Sequence, residues 1–323
     1  MENLLELKNL KTSFFTKSGE VEAVRNVSFK VGKNEILGVV GESGSGKSIT
    51  SKSIMRLIEN PGKIIDGEIL FENKDLLKLD EKEMRKLRGN EIAMIFQDSM
   101  TSLNPLVKIS KQMSEIIIRH KKISKKEAIK ESIKMLKLVG IPNPESKIDC
   151  YPHEFSGGMR QRVCIAMAMS LSPKLLIADE ITTALDVTIQ LQILELIKEL
   201  NYKNKNSTIL ITHDLDVVKK TCDRVIVMYG GIIMESASVK ELFKNPKHPY
   251  TIGLLNSIPN KENTSKKRLS PIQGTPPNLL NPPKGCPFYE RCSKRKDICE
   301  KSMPKTKDIS DTHKVNCFNV EAV

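Results

Sequence analysis

Gly41-Glu42-Ser43-Gly44-Ser45-Gly46-Lys47-Ser48 fits the pattern GxxxxGK[ST], and it does so once in the 323 residues. Glycines let a backbone turn with its amides directed at a phosphate. A lysine at the seventh position reaches the outer phosphates, and the hydroxyl of Ser48 is a hard ligand for Mg2+. Such a loop works only between a buried strand and a helix N-terminus. Ile36 to Val40, directly before it, is a short continuous apolar run; Ile49 to Ile58, directly after, has apolar residues at helical spacing. The ligand implied is a nucleoside triphosphate with Mg2+.

A second apolar run, Leu175 to Ala178, ends in Asp179-Glu180. At the end of a buried strand Asp179 would support the magnesium, and Glu180 could polarise an attacking water as general base. Such endings are common, and this one gains meaning from Phe155-Ser156-Gly157-Gly158-Met159-Arg160-Gln161, where Ser156 lies 23 residues before Asp179. That segment resembles the signature motif of ATP-binding cassette (ABC) ATPases, and its FSGGMRQR form is similar to the peptide-importer branch.

The resemblance assigns further positions. Gln97, in Ile95-Phe96-Gln97-Asp98, matches the Q-loop; Asp186, in Ala184-Leu185-Asp186, the D-loop; and His213, in Ile211-Thr212-His213-Asp214, the switch histidine. In this family two cassettes close head to tail, so that ATP on the glycine loop of one meets the signature of the other. Ser156, Gly157 and Gly158 would then bind the γ-phosphate across the interface. Gln97 would sense metal and water, and His213 would contact the γ-phosphate beside Glu180. The adenine would stack on Phe14, with Phe15 as competitor. One departure is Ile181, where this branch normally has proline.

The elements that must hold these residues are legible in outline. Leu5, Leu7 and Leu10, then Val21, Ala23, Val24, Val27, Phe29 and Val31, alternate as strands do, with breaks at Gly19 and Gly32. Lys108 to Lys147 is polar and helix-prone and ends at Gly140 and Pro142. Leu175–Ala178, Ile209–Thr212 and Val225–Met228 suit buried parallel strands separated by helices such as Ile189–Leu200. The expected fold is α/β: an ABC-type ATPase domain over residues 1–255, with an N-terminal antiparallel β subdomain and a helical insertion at about 98–160. A loop-rich, cysteine-containing C-terminal extension over 256–323 follows.

Net charge is +13, from 52 basic and 39 acidic residues, which suits phosphates, anionic lipid or nucleic acid. Residues 256–323 carry 13 basic and 7 acidic residues and eight of the 16 prolines. The basic run Arg119–Lys126 lacks aromatic interleaving and reads as a solvated helix face. No apolar stretch approaches the roughly 18 to 20 residues of a membrane span. Met1–Leu10 lacks the order of a secretory signal, which places the chain in the cytoplasm.

Lys247-His248-Pro249-Tyr250-Thr251, with Leu254 and Leu255, resembles the element that opens the extension of dipeptide, oligopeptide and nickel importer ATPases. The extension holds Cys286, Cys292, Cys299 and Cys317. A cytoplasmic disulfide framework is disfavoured, and the CxxC-like pairs of zinc sites are absent. Four thiolates suit a [4Fe–4S] cluster, which the resemblance also implies; zinc and metal-free cysteines stay open. His313 is a lesser candidate ligand than a surface residue. Cys150, Cys164 and Cys222 read as small buried hydrophobes, and His120 and His153 as core histidines.

The resemblance thus implies an ATP-hydrolysing subunit of a di- or oligopeptide importer. Its partners would be a second, related cassette, two transmembrane permeases and an extracytoplasmic binding protein, on the cytoplasmic face of a bacterial membrane. Nickel import is the alternative within the family. A nucleic-acid ATPase sharing the cassette is the alternative outside it, disfavoured because only 58 residues separate Gln97 from Ser156, too few for the long coiled coils of repair members.

Overall fold

The structure is a computed structural model, and it describes residues 2–97, 102–181, 187–257 and 272–320. Strands in chain order are β1 (Asn3–Thr16), β2 (Gly19–Gly32), β3 (Ile36–Val40), β4 (Gly62–Phe71), β5 (Lys74–Asp75), β6 (Ile92–Ile95), β7 (Leu175–Asp179), β8 (Ser207–Thr212), β9 (Arg224–Tyr229), β10 (Ile232–Ser238), β11 (Lys307–Asp308) and β12 (Lys314–Val315). Two compact units divide the chain, and the division falls within β8, after Leu210.

The first unit comprises chiefly Asn3–Val31, Glu35–Leu77 and the chain from Ile211 onward. Here β1 and β2 join β4 and β5 in a sheet of order β2-β1-β4-β5, with β1 antiparallel to β4 in the register Leu5↔Phe71, Leu7↔Ile69. Leu5 and Leu7 alternate with polar residues and are buried on the covered face; a register shift against β4 between Lys8 and Lys11 breaks the period of two, and Leu10, three positions on, is buried as well. A second run of strands has the order β11-β12-β10-β9-β3. All five residues of β3 are buried, and it lies parallel to β9 with Val39 opposite Ile226; β10 returns antiparallel to β9. An apolar run without alternation forms a strand covered on both faces.

The tail completes this unit's core. Cys286, Phe288 and Cys299 pack in the same cluster as Val225, Val227, Tyr229, Met234 and Tyr250. Phe288 meets Tyr229 edge-on at 5.4 Å between centroids and Tyr250 at 5.3 Å. Truncating a buried phenylalanine to alanine costs about 3 to 5 kcal/mol, so one tail residue contributes substantially to the unit.

The other unit, mainly Lys78–Leu210, has strands in the order β8-β7-β6, with β6 parallel to β7. Helices Ile109–Lys121, Lys125–Leu138 and Gly157–Met169 occupy the polar segment and the stretch after it. The turn between the first two is written locally: Lys122 takes a left-handed conformation at φ 54°, and Ser124 with Glu127 forms a capping box on the second helix. The basic run lies there, half-buried at most, with Lys121 3.4 Å from Glu131.

Some expectations are corrected. The helix after the glycine loop ends at Ile54, not Ile58, because Arg56 turns left-handed at φ 51°. His153 is exposed and stacks on Tyr151, and His120 is only half-buried, so neither is a core histidine. Of the three cassette cysteines only Cys164 is buried; Cys150 and Cys222 are intermediate.

Candidate functional site: the glycine loop, an acid–amide pair and a cysteine cavity

The glycine loop leaves β3 and feeds the helix Lys47–Ile54. Gly41 has φ 154°, and a Cβ there would lie 2.1 Å from the carbonyl oxygen of Met228, so no side chain fits. Gly46, at φ 98°, is the N-cap of the helix. Ser43 and Gly44 are exposed at the tip of the loop, Ser45 is buried, and Ser48 is half-buried in the helix's first turn. Lys47 is 4% exposed, and its Nζ donates to the carbonyls of Gly41 (2.8 Å) and Glu42 (2.9 Å). The ammonium is therefore already aligned along the loop that is to hold phosphate.

Every polar group of Glu42 is engaged. Its N–H donates to the Tyr250 hydroxyl at 2.8 Å, and its carboxylate takes both terminal nitrogens of Arg291, at 2.7 and 3.0 Å. Burial works against the Arg291 charge, but the hydrogen bonds to Glu42 and Tyr229 outweigh it and raise the guanidinium above its ordinary range. Neither partner was foreseen, since 249 positions separate Arg291 from Glu42 and no local pattern marks such a pair.

In the same unit His213 is exposed just past the end of β8, and Asp214 caps the next helix by accepting from the Asp216 and Val217 amides. Phe14 is half-buried with its ring edge against Gly62, whereas Phe15 is 45% exposed with the Lys63 ammonium 5.9 Å from its ring.

The other unit brings together two predicted residues. Asp179, 3% exposed, ends β7; Glu180 follows at φ 45°, and its Oε2 accepts from Gln97 Nε2 at 2.8 Å. A glutamate in the left-handed region carries strain that surrounding contacts must hold. Ile181 is buried at 2%, an apolar anchor where proline was expected. Ser156 caps the helix Gly157–Met169, its hydroxyl accepting from the Met159 amide, and Gly157 is exposed with nothing among the described residues within 4 Å of where a Cβ would stand. Asp186 lies outside the described residues.

Cys286, Cys292, Cys299 and Cys317 line one cavity with His248, Pro249, Tyr289, Pro304 and Phe318. Burial pushes the Cys286 thiol up to about 12, and the three neighbouring cysteines add to the rise. Burial likewise raises Cys292 and Cys317. Among the described residues no group of three or more His, Cys, Asp or Glu is arranged to hold a metal ion. His313 is neither a surface residue nor a lining residue of this cavity: it is 2% exposed and pairs through Nε2 with Glu235 Oε1 at 2.7 Å.

Residues 24–183 match the family described as ABC transporter, and residues 234–299 match that described as the oligopeptide/dipeptide transporter C-terminal region. The chain is 57% identical to the oligopeptide transport ATP-binding protein OppD of Bacillus subtilis, over 98% of this chain and 88% of that one. It is 54% identical to the dipeptide transport ATP-binding protein DppD of the same organism, over 98% and 95%. Among solved structures, a dimeric post-hydrolysis ATP-binding cassette bound to ADP and phosphate superposes with a TM-score of 0.66 at 28% identity, covering 73% of this chain and 98% of that one. The motifs, the glycine loop and near full-length identity agree: the chain belongs to the ABC transporter family, as an ATP-binding and ATP-hydrolysing subunit.

Proposed function

We propose that this chain powers the import of dipeptides or oligopeptides. The observation that carries the reading is the 57% and 54% identity, over nearly the whole chain, to proteins named for oligopeptide and dipeptide transport. Lys47 neutralises the outer phosphates, while Ser48 and Asp179 offer hard oxygen donors suited to Mg2+. Glu180 is the general base for the attacking water, with Gln97 holding its carboxylate and His213 contacting the γ-phosphate. Phe14 stacks on adenine. Ser156, Gly157 and Gly158 complete the site of a second cassette, and Asp186 takes part in the same interface; the dimeric cassette of similar fold supports that arrangement.

Among the described residues no helix is long and apolar enough to cross a membrane. Two permease partners supply the path through the bilayer, and the subunit associates peripherally with their cytoplasmic face. A related second cassette and an extracytoplasmic binding protein complete the assembly.

Residues 256–323 form the extension, and its four cysteines hold a [4Fe–4S] cluster. The supporting observation is that four sulfurs line one cavity. A cluster spreads its thiolates over four irons, whereas zinc draws all ligands to about 2.3 Å from one point. When bound, the group would cross-link the tail.

The test is uptake. Cells lacking this chain should lose accumulation of labelled dipeptide and regain it with the wild-type chain but not with Lys47→Ala. Retained peptide uptake with lost nickel uptake would overturn the peptide reading.

A further inference from the structure

We propose that Arg291 is a positioning residue for ATP binding, which neutralises Glu42 inside the phosphate loop so that the loop's own carboxylate does not oppose the triphosphate. An acidic residue at the second position of a phosphate-binding loop is electrostatically adverse, because it places negative charge where more is to be bound. The structure supplies the compensation from the far end of the chain. Arg291 spends all five of its N–H donors: Nη1 on Glu42 Oε2 and the Tyr229 hydroxyl, Nη2 on Glu42 Oε1 and the carbonyl of Ile272, and Nε on the carbonyl of Gln273. Its side chain is 6% exposed against 25% for Glu42, and its guanidinium lies 5.6 and 5.9 Å from the ring centres of Tyr229 and Phe288. A lysine could not reproduce this fork.

The consequence reaches the phosphate ligand directly. Lys47 donates to the carbonyl of Glu42, and Ser45 N–H bonds the same oxygen at 3.2 Å. Glu42 is thus the joint between the tail and the lysine that meets the outer phosphates. Arg291 ends the short turn Tyr289–Arg291, directly before Cys292, so the segment that lines the cysteine cavity also sets the charge of the loop.

The test is the affinity for a non-hydrolysable ATP analogue with Mg2+, measured on the full chain as wild type, Arg291→Gln and the double variant Arg291→Gln/Glu42→Gln. Arg291→Gln should weaken binding on the order of tenfold, and more at low than at high salt. The double variant should recover to within about threefold of wild type, because the uncompensated carboxylate is gone. A purely structural role predicts no rescue, since the bonds to Tyr229, Ile272 and Gln273 are lost in both variants. Unchanged affinity in Arg291→Gln, or a double variant as weak as the single, would overturn the proposal. If Arg291→Gln does not fold, the double variant decides alone: near-wild-type binding supports the charge role, and failure to fold or bind refutes it.

Discussion

Gln97 and Glu180 are joined by one hydrogen bond, Nε2 to Oε2 at 2.8 Å, across 83 positions of sequence, and Glu180 holds it from a left-handed backbone at φ 45°. The amide orients the carboxylate without neutralising it, which is what a general base needs. Glu180→Gln keeps an acceptor oxygen for Gln97 but removes the base. Turnover should fall by about 100-fold or more, with ATP affinity kept within about threefold. Steady-state phosphate release and nucleotide titration on the same preparation check this, and full activity in the variant would remove Glu180 from the role.

The family resemblance names Gln97 and Glu180 as functional residues but does not pair them. In the sequence they are two isolated polar residues, each just after a short apolar run. What could be read directly was whatever is local: the continuous runs of β3, β7 and β9, and the glycines of the loop. What could not be read is long-range pairing of charge. Glu235 looks like a surface strand residue yet is 1% exposed, bonded to the Lys247 and His248 amides and to His313, 78 positions away. For the same reason β10 and the part played by Arg291 went unforeseen. A buried carboxylate leaves no periodic trace when its partners lie on different elements.

His248 gives a pH dependence with a defined sign. It caps the helix Pro249–Asn256 through Nδ1, which accepts the Tyr250 N–H at 3.0 Å and cannot do so when protonated. Burial depresses this imidazole from 6.5 to about 4, with Glu235 opposing the shift. Between those values the unfolded chain binds the extra proton, so the contribution to stability is present above about pH 6.5 and is lost as pH falls toward 4. From pH 7 to pH 5 the loss from this group should be roughly 2 kcal/mol. His248→Asn keeps a capping oxygen without a titrating group. Its denaturant midpoint should therefore fall less over that interval than the wild type's, and parallel falls would sink the assignment.

The cysteine cavity makes a compositional prediction. Protein purified without oxygen should be brown and contain about four irons per chain. Cys317→Ser should lose the colour. One zinc per chain in a colourless preparation would favour a tetrahedral thiolate site instead, and a metal-free preparation would leave Cys286 as a buried thiol held up at about 12.

Gly157 separates folding from assembly. Glycines are usually retained because a side chain would strike the chain itself, as at Gly41, where a Cβ would meet the Met228 carbonyl at 2.1 Å. At Gly157 nothing among the described residues lies within 4 Å of that point, the residue is exposed, and it stands in the first turn of a helix. Alanine there should leave the unfolding midpoint unchanged or raise stability by up to about 1 kcal/mol, since alanine favours the helix. If the signature closes on the ATP of a second cassette, the added methyl would instead meet that nucleotide. Gly157→Ala should then bind ATP normally as a single cassette and yet lose turnover by at least about tenfold, because the closed pair cannot form. Unfolding midpoint, ATP affinity and turnover measured together decide the matter: a lowered midpoint would place the role of Gly157 within its own chain, and undiminished turnover would remove it from the shared site.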